Sequence, residues 1–406
     1  MSALWKKSRA FLSTRGGNFA IGMGLLGLPL AVAASMALDI YSIGRIRAQM
    51  QDAADAAVMS AALNAGSASV ATLAGDTFQA NIRSTAYGLQ ESLPAFSYLG
   101  QSADADGNPT VSGKATFAYS RLLPFGPQGG SGNDVAITVE TRVTVPPGMP
   151  ACLFALSRTE GRAVDVSGSA LVDVKGCVVA SNSQAGDALY VGGSGALSAE
   201  CAISSGGIDD NGGLTTDCDW NRTNYMPSPD PLKDLPPPLP GVVFPDPAKA
   251  DLTVQPGRYN NLTLDGTKTL QPGLYYVDGS LTIKGDITGD GVTFFLKDGA
   301  VTLNGGANLR IRPPTAGTYA GISFFGDPAN LNTQKFTGNG TIDIDGFVYF
   351  PAGDVIYQGN SSTYSECLRI IADTVTMTGN SSMAADCSAR LGGREALVVG
   401  TPYISG

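Results

Sequence analysis

Residues 255–275 read QPGRYNNLTLDGTKTLQPGLY, and this stretch decides the fold of the larger part of the chain. The same Gln-Pro-Gly-x-Tyr motif begins at Gln255 and begins again at Gln271. Short strands separated by glycine and proline turns at near-constant spacing are typical of the stacked turns of a parallel β-helix. We therefore predict a right-handed parallel β-helix in this part of the chain.

A second repeat follows this stretch. The dipeptide Gly-Asn recurs at positions 338–339, 359–360 and 379–380, at nearly equal spacings. The segments GNSSTYSEC (359–367) and GNSSMAADC (379–387) share their first four residues and their final cysteine. A fixed period places equal side chains above one another, so the asparagines are predicted to form a hydrogen-bonded ladder. The glycines permit sharp corners.

An earlier repeat has a period of about 25 residues, within the range typical of repeat architectures. The segment VDVSGSAL (164–171) is echoed by LYVGGSGAL (189–197), and each copy is followed shortly by a cysteine, Cys177 or Cys201. Alternating strands with small turn residues at this spacing also predict stacked β-helix turns. Between the two repeat regions, residues 226–247 hold nine prolines, which favour extended polyproline II. This segment is either a spacer between two β-helical pieces or a strap along one of them.

Composition fits many short strands and excludes several classes of function. The 406 residues include 52 glycines and 24 prolines, and only 15% are charged. A net charge of −9 gives no basic face for nucleic acid. No histidine occurs, which removes histidine-dependent catalysis and histidine-ligated metal or haem sites. We expect a protein without a cofactor and without enzyme activity.

Six cysteines occur, and none forms a CxxC pair, so disulfides in an oxidising compartment are favoured over metal binding. Cys367 and Cys387 would lie one turn apart, near the ~5 Å strand spacing, and within disulfide reach. The remaining four allow three connectivities. Among these three, Cys152–Cys177 with Cys201–Cys218 is the pairing we select.

The N-terminal part predicts a membrane-spanning helix. The segment from Asn18 to Ile43 carries no charge until Asp39, and about 20 apolar residues span a bilayer. Basic residues precede it, at positions 6, 7, 9 and 15, which places the N-terminus in the cytoplasm and the remainder outside. A signal peptide cleaved near residues 35–37 is the alternative. Prepilin-type cleavage is not expected, because no Glu follows Gly17 at the fifth position.

The helical pattern continues to about residue 65 and presents small side chains at spacings of three and four. We predict that this face docks a helix of a partner protein, through Met50, Ala53, Ala54, Ala57 and Ala61. Asp52 and Asp55 lie on the same extension and are interpreted as residues that keep an exposed helix soluble. Within the span, a second small-residue surface could pack on a neighbouring helix; it consists of Gly22, Gly24 and Gly27.

The predicted fold is mainly β with an N-terminal α-helix, a small α+β unit and a parallel β-helix. In the α+β unit, residues 72–92 are predicted to be helical, and residues 110–121 and 134–145 are predicted strands. The predicted domains are a basic tail (1–18), a transmembrane helix (19–43), a helical extension (44–65), the α+β unit (66–150), β-helix coils (151–225), a Pro-rich linker (226–247) and a β-helix domain (248–406).

Several of these residues resemble a known family. RGGN (15–18), the span ending near residues 39–41, and QDAADAAVMSAA (51–62) resemble the N-terminal domain of TadG-like Tad/Flp pilus-assembly proteins. The segments GVTFFL (291–296) and GFVYFPAGD (346–354) resemble the β-helical region of many such proteins. The resemblance implies a bacterial inner-membrane protein with a periplasmic or surface-exposed domain. It also implies pseudopilin-like or other pilus-assembly partners, and it supplies no catalytic residue.

Four groups of polar or aromatic residues are candidate sites. Asp165-Val-Ser-Gly-Ser spells the D-x-S-x-S of a metal-ion-dependent adhesion site, but an alternating strand follows it, which favours a β-helix coil. Asp343 and Asp345 share a strand face and could act on a polysaccharide, or could lie on a solvated outer face. Asp286 and Asp290 are favoured as turn residues over calcium ligands. The aromatic residues are favoured as core over a sugar platform; they are Phe324, Phe325, Phe347, Tyr349 and Phe350.

The expected function is structural: a membrane-anchored component of Tad/Flp-type pilus assembly or of cell-surface adherence, with a disulfide-stapled β-helix. A surface glycan is a possible ligand. The alternatives are a membrane-tethered carbohydrate-active β-helix enzyme and a secreted β-helical adhesin with a cleaved N-terminus.

Overall fold

The computed structural model describes most of the chain after residue 17. The described residues are 18–64, 69–85, 93–105, 108–122, 134–146, 148–218, 223–359, 367–379, 382–383, 387, 391–398, 400 and 402–405. They divide into two compact units, residues 1–147 with 402–406, and residues 148–401.

The first unit begins with the helices α1 (Asn18–Leu63) and α2 (Val70–Thr85), followed by β1 (Ala95–Ala103), β2 (Pro109–Ser120) and β3 (Asp134–Thr144). The N-terminal turns of the second unit are β4 (Met149–Ala155), β5 (Val164–Val166), β6 (Leu171–Ser181), β7 (Leu189–Val191), β8 (Ala196–Ser204), β9 (Ile208–Asp210) and β10 (Leu214–Thr216).

The second unit continues with β11 (Val243–Phe244), β12 (Thr253–Val254), β13 (Gly257–Tyr259), β14 (Leu262–Leu264), β15 (Lys268–Leu270), β16 (Gly273–Val277), β17 (Leu281–Ile283), β18 (Asp286–Asp290), β19 (Val292–Leu296), β20 (Val301–Leu303) and β21 (Asn308–Arg312). It ends with β22 (Ile322–Gly326), β23 (Gln334–Gly338), β24 (Ile342–Ile344), β25 (Gly346–Phe350), β26 (Val355–Gly359), β27 (Leu368–Ala372), β28 (Val375–Gly379), β29 (Ser382–Met383) and β30 (Leu397–Val398). The last strand, β31 (Tyr403–Ile404), returns to the first unit.

The first unit is a helical pair on an antiparallel sheet of order β1-β2-β3-β31. The strands alternate between buried and exposed residues, which is the pattern of a sheet with one face on a core. Phe78 of α2, Phe117 of β2 and Val139 of β3 meet the small residues of α1 in that core. The predicted α+β unit is therefore confirmed, with α2 described as far as Thr85.

The second unit is a parallel β-solenoid, as predicted. Three parallel sheets line its core; the turns between residues 257 and 344 visit all three in the same order, whereas the strands of residues 149–216 belong to two of them. We call them the long sheet (13 strands, including β4, β16 and β25), the nine-stranded sheet (including β5 and β17) and the five-stranded sheet (β12-β15-β18-β21-β24). Backbone groups of each turn pair with the turns on either side, so the stack satisfies its own hydrogen bonds.

The two repeat regions form one stack. Strand β27 pairs with β4, matching Ile370 to Leu153, and β28 pairs with β5, matching Val375 to Val164. We call this junction the seam. The turns formed by residues 243–379 lie on one side of the seam, and those formed by residues 149–216 lie on the other. The solenoid therefore begins with β4 in the middle of the stack, and its last turn, β27 and β28, returns to β4 and β5 there.

The proline-rich segment is a strap along the outside of this stack. Strands β10 and β11 lie at opposite ends of the long sheet, ten strand steps apart, or about 48 Å at ~4.8 Å per step. The stretch from Thr216 to Val243 reaches about 84 Å as polyproline II at ~3.1 Å per residue. The segment is long enough to return over the whole stack, and its end forms β11.

Paired contacts hold the strap, which we define as residues 223–242. Asn182 donates its Nδ2 to the Ser228 carbonyl and accepts the Ser228 N–H, both at 2.8 Å. Tyr349 donates its hydroxyl to Asp230 Oδ2 at 2.6 Å. Burial, together with Asp230, raises the pKa of the Tyr349 hydroxyl above its usual value. Leu232 and Leu235 of the strap are buried against the long sheet.

The register confirms the predicted periods. Gly338, Gly359 and Gly379 are partners on β23, β26 and β28, and Val166 pairs with Val191 of the next repeat. The asparagine ladder cannot be followed, because residues 360 and 380 lie outside the described residues.

The Gln-Pro-Gly-x-Tyr motif encodes a local turn rather than the turn period. Gly257 pairs with Tyr275, so the two motif copies are offset by two residues. In each copy the tyrosine hydroxyl donates to the carbonyl of the motif's own Gln, at 2.6 Å in the first and 2.9 Å in the second. The turn requires glycine at position 273, because the φ angle there is +143° and an added Cβ would clash with Pro256 at 2.7 Å.

Aromatic residues stack on both faces of the long sheet. Inside, Phe294 lies 5.4 Å from Tyr275 and 5.2 Å from Phe324, centroid to centroid. Outside, Phe325 lies 5.2 Å from Phe295 and 5.4 Å from Tyr349. The outer row is buried beneath the strap and residues 391–398. All five aromatic residues singled out from the sequence are buried core, and strands buried on both faces explain apolar runs such as VTFFL.

Candidate functional site

The N-terminal half of α1 is apolar and exposed. Its large side chains expose 56–72% of their surface at Met23, Leu25, Leu26, Leu28, Leu30 and Leu38. Within Met23–Leu63, the most apolar 18-residue window has a mean hydropathy of 1.8 and is 6% buried. Among the described residues, this helix alone is long and apolar enough to cross a membrane. Such a surface is unstable in water unless something apolar covers it.

From Met23 onward, Asp39 is the first residue of α1 that the folded unit buries. Its Oδ1 accepts the Tyr119 hydroxyl at 2.9 Å and the Leu122 N–H at 3.2 Å. Asp39 is 7% exposed, so the carboxylate is buried but hydrogen-bonded, as a buried charge requires. Burial, as the largest cause, raises the pKa of Tyr119. Asp39 therefore marks the point along α1 where hydrogen bonds to the folded unit begin.

The residues of the predicted partner-helix face lie in the core of the chain's own unit. Met50, Ala53, Ala54, Ala57 and Ala61 are each at most 1% exposed. They pack inside the chain's own unit, against α2 and the strands β2 and β3. Small side chains do permit close approach, as predicted, but the element that approaches is the chain's own sheet. Asp55 is also engaged, because the Thr141 hydroxyl donates to it at 2.7 Å.

Gly24 and Gly27 of the apolar segment are exposed. A Cβ added to Gly24 or Gly27 would meet no atom within 4 Å. The surroundings of Gly22 lie outside the described side chains.

All three predicted disulfides form. The bonded pairs are Cys152–Cys177, Cys201–Cys218 and Cys367–Cys387, with Cα separations of 5.7, 5.4 and 4.7 Å. The first bond joins neighbouring turns on β4 and β6, and the third lies beside β27. No disulfide between the described cysteines crosses the seam, which is held by hydrogen bonds and packing.

Asp343 and Asp345 belong to a charged corner of the solenoid. Arg312 places Nη2 2.8 Å from Asp343 Oδ2 and Nε 2.9 Å from Asp345 Oδ2. Asp345 is fully buried and also accepts the Cys367 N–H at 3.2 Å. Arg310 adds a contact of 3.2 Å to Asp343. A carboxylate pair for glycoside hydrolysis must face one substrate, and Asp345 faces Arg312 within the protein instead.

Sequence reasoning missed Arg310 and Arg312 as the partners of these carboxylates. A signal was present, because Arg310-Ile-Arg312 and Asp343-Ile-Asp345 have the same spacing of charges around an isoleucine. The structure aligns the two segments on β21 and β24, with Arg310 opposite Asp343. Complementary charge at one repeat position could have indicated the pairing.

The other acidic candidates lie in the solenoid framework. Asp165 is the central residue of β5, and β6 follows it, which confirms the coil interpretation of the D-x-S-x-S motif. Asp286 and Asp290 are the first and last residues of β18, and Asp286 accepts the Asn308 side-chain amide. In the part of the chain that the structure describes, no cluster of Cys, Asp and Glu could hold a metal ion.

Comparisons of the chain with protein-family models, curated proteins and solved structures find no match.

Proposed function

We propose that this chain is a single-pass membrane protein in which α1 anchors a disulfide-bonded solenoid, as a structural component of Tad/Flp-type pilus assembly or cell-surface adherence. The exposed apolar half of α1 carries the proposal. The observation is specific, because the later part of the same helix, from Ile46 to Ala62, buries one face in the core of the folded unit.

The length of the exposed segment supports one crossing. Residues 19–38 form a helix of about 20 residues, which rises about 30 Å, the thickness of a bilayer's hydrocarbon core. The helix passes through residues 35–37, the alternative cleavage site, without a break. The apolar run is longer than the roughly 7–15 residues of a signal-peptide h-region, which favours retention of the helix as an anchor over a cleaved, secreted form.

The disulfides and the distribution of basic residues support a cytoplasmic N-terminus and a solenoid outside the cytoplasm. Three bonded cysteine pairs in one unit require an oxidising surrounding such as the periplasm or cell surface. The basic residues at positions 6, 7, 9 and 15 favour a cytoplasmic N-terminus at the bacterial inner membrane. Pilus assembly itself rests on the resemblance of residues 15–62 to TadG-like proteins.

A pilus-assembly partner would contact the apolar half of α1, since the alanine face is taken by the chain's own sheet. Gly24 and Gly27 offer open space for a neighbouring helix. Replacing both by Leu should reduce co-isolation of pseudopilin-like proteins from detergent extracts, whereas Ala33→Leu on the opposite helix face should not. Equal recovery from all three proteins would reject this contact.

Membrane extraction tests the anchor. The double variant Leu26→Lys/Leu30→Lys places two charges in the span, at about 2.5–3.5 kcal/mol each. Wild-type protein should stay in the membrane pellet after alkaline carbonate, and the variant should enter the supernatant. The control Leu239→Lys/Leu252→Lys changes two leucines that are 90% and 71% exposed on the solenoid unit, and it should stay in the pellet. Release of wild-type protein would refute the anchor.

Cysteine labelling tests the orientation. Ser8→Cys should react with a membrane-impermeant maleimide only after the cells are permeabilised, whereas Ser405→Cys should react before. The reverse pattern would overturn the proposed topology while leaving the anchor intact.

A further inference from the structure

The outer face of the five-stranded sheet carries a cleft of about 490 Å³. Its polar lining comes from β18, β21 and the segment at β24, and it comprises Asp286, Thr288, Asn308, Arg310, Thr341 and Asp343. We propose that this cleft binds a neutral saccharide chain that lies across the strands, with Asp343 and Arg310 hydrogen-bonding its hydroxyl groups. This inference is independent of the membrane anchor, because the cleft belongs to the solenoid unit.

The register arranges the cleft as two rows of hydrogen-bonding groups. One row contains Asp286 opposite Asn308, and the other contains Thr288, Arg310 and Asp343 on successive strands. Groups within a row are about 4.8 Å apart, and the rows are about 6.6 Å apart, two residues along the strand. An extended chain of pyranose rings repeats its hydroxyl groups on a similar scale, so successive rings would face successive strands.

Threonines extend the second row beyond the cleft. Thr253 pairs with Thr269, which pairs with Thr288, and all three are exposed. The row of five strands covers four steps, or about 19 Å. Its hydroxyl and methyl groups suit a ligand that has both hydroxyl groups and C–H faces.

The cleft contains both fixed and open polar groups. Asn308 is fixed, because its Nδ2 donates to Asp286 and its Oδ1 accepts the Thr341 N–H at 2.7 Å. Asp343 is 8% exposed, and its Oδ1 has no hydrogen-bond partner among the described residues. A buried acceptor without a donor costs about 1–3 kcal/mol. A ligand hydroxyl would supply the missing donor.

Arg310 makes this oxygen reachable. It contacts Asp343 through Nε alone, at 3.2 Å, and its side chain is 65% exposed. Arg312, by contrast, is 17% exposed and holds two carboxylates. The exposed Arg310 side chain can shift when a ligand enters, and its remaining N–H groups then donate to ligand oxygens.

The charges of the cleft select a neutral ligand. Two guanidinium groups already contact Asp343 Oδ2, which disfavours a metal cation. Asp286 and Asp343 together disfavour an anion. Sugar hydroxyl groups both donate and accept, so they match carboxylate, guanidinium, amide and hydroxyl partners at once.

Calorimetric titration tests the proposal. The full chain, in a detergent without a sugar headgroup, is titrated with cellohexaose and with chitohexaose. Wild-type protein should bind at least one of them. Thr288→Trp fills the cleft from an exposed strand position and should weaken binding about tenfold or more, a change of about 1.4 kcal/mol or more. Thr302→Trp places the same side chain at an exposed position of the nine-stranded sheet and should leave the affinity unchanged.

Asp343→Asn provides a second variant, and it should also weaken binding, with circular dichroism reporting whether the solenoid stays folded. Absence of binding to both hexasaccharides by wild-type protein would overturn the proposal. Equal loss in the two tryptophan variants would place the ligand elsewhere and would also overturn it. In either case, pelleting of the wild-type chain with membranes would be unaffected, so failure of the cleft is distinguishable from failure of the anchor.

Discussion

The variant Ala57→Leu tests whether the alanine face of α1 is buried in the chain's own core or is a surface that docks a partner. Ala57 is wholly buried and lies in one cluster with Phe78, Ala115 and Ile137. The substitution adds three carbon atoms where no surface is exposed. Inserting atoms into a close-packed core costs about 1–3 kcal/mol, because side chains and backbone must move.

The expected change in melting temperature follows from the size of the unit. For a domain of about 150 residues, 1 kcal/mol corresponds to roughly 2–4 °C. We therefore expect Ala57→Leu to lower the melting temperature of the first unit by about 2–12 °C. Near-ultraviolet circular dichroism of the full chain in detergent micelles would follow the transition.

Ala48→Leu is the matched control. Ala48 lies on the same helix and is exposed, so the same added atoms meet no neighbour, and its melting temperature should equal that of wild type. If Ala57→Leu also melted at the wild-type temperature while reducing partner binding, the alanine face would be a docking surface, and the packing described above would be refuted.

Three further perturbations address the solenoid. Arg312→Ala should destabilise it by about 3–5 kcal/mol, because Asp345 would be left buried without its charge partner, and urea unfolding would measure the loss. Replacing Cys367 and Cys387 by Ser should cost about 2–4 kcal/mol through the freed unfolded chain, measured in the same way. Tyr349 should resist ionisation when absorbance at ~295 nm is followed with rising pH. Its pKa is raised in the folded state, so its contribution to stability is complete below pH ~10 and declines above that pH.

Each perturbation has an outcome that would contradict it. Arg310→Ala removes a more exposed contact to the same corner and should cost less than Arg312→Ala; a reversed order would mean that Asp345 is not held as described. Unchanged urea midpoints after serine substitution would indicate that the cysteine pair is not bonded. For Tyr349, the variant Tyr349→Phe should reduce the amplitude of the high-pH tyrosine titration by one residue, and an unchanged amplitude would assign that titration to other tyrosines.

The solenoid could be predicted because its signals are local and repeated. Glycines at 338, 359 and 379 occupy equivalent corners, and a period read from the sequence maps directly onto one turn. The Cys367–Cys387 bond followed from the same reasoning, since cysteines one period apart are one strand spacing apart; the other two bonds were one choice among three connectivities.

The order of the stack could not be predicted in this way. Periodicity predicts that each turn pairs with a neighbouring turn. Because every turn has a similar strand edge, periodicity does not predict which two turns are neighbours. Ile370 meets Leu153 from the opposite end of the unit's sequence, and the choice depends on shape and packing along the whole stack. The contacts of the alanine face with the chain's own sheet could not be predicted for a related reason: small side chains permit a close contact without identifying the element that makes it.

The seam also sets an order of events during synthesis. The edge strand β4 is complete once residue 155 has been made, whereas the turn that covers it is complete only at residue 383. The roughly 230 residues between these positions take about 12–46 s to synthesise at about 5–20 residues per second. During this interval the nascent chain exposes an unpaired parallel edge with apolar side chains, the kind of template that recruits foreign strands. A chaperone that binds extended strands is thus needed from the completion of β4 until about residue 383 has been made.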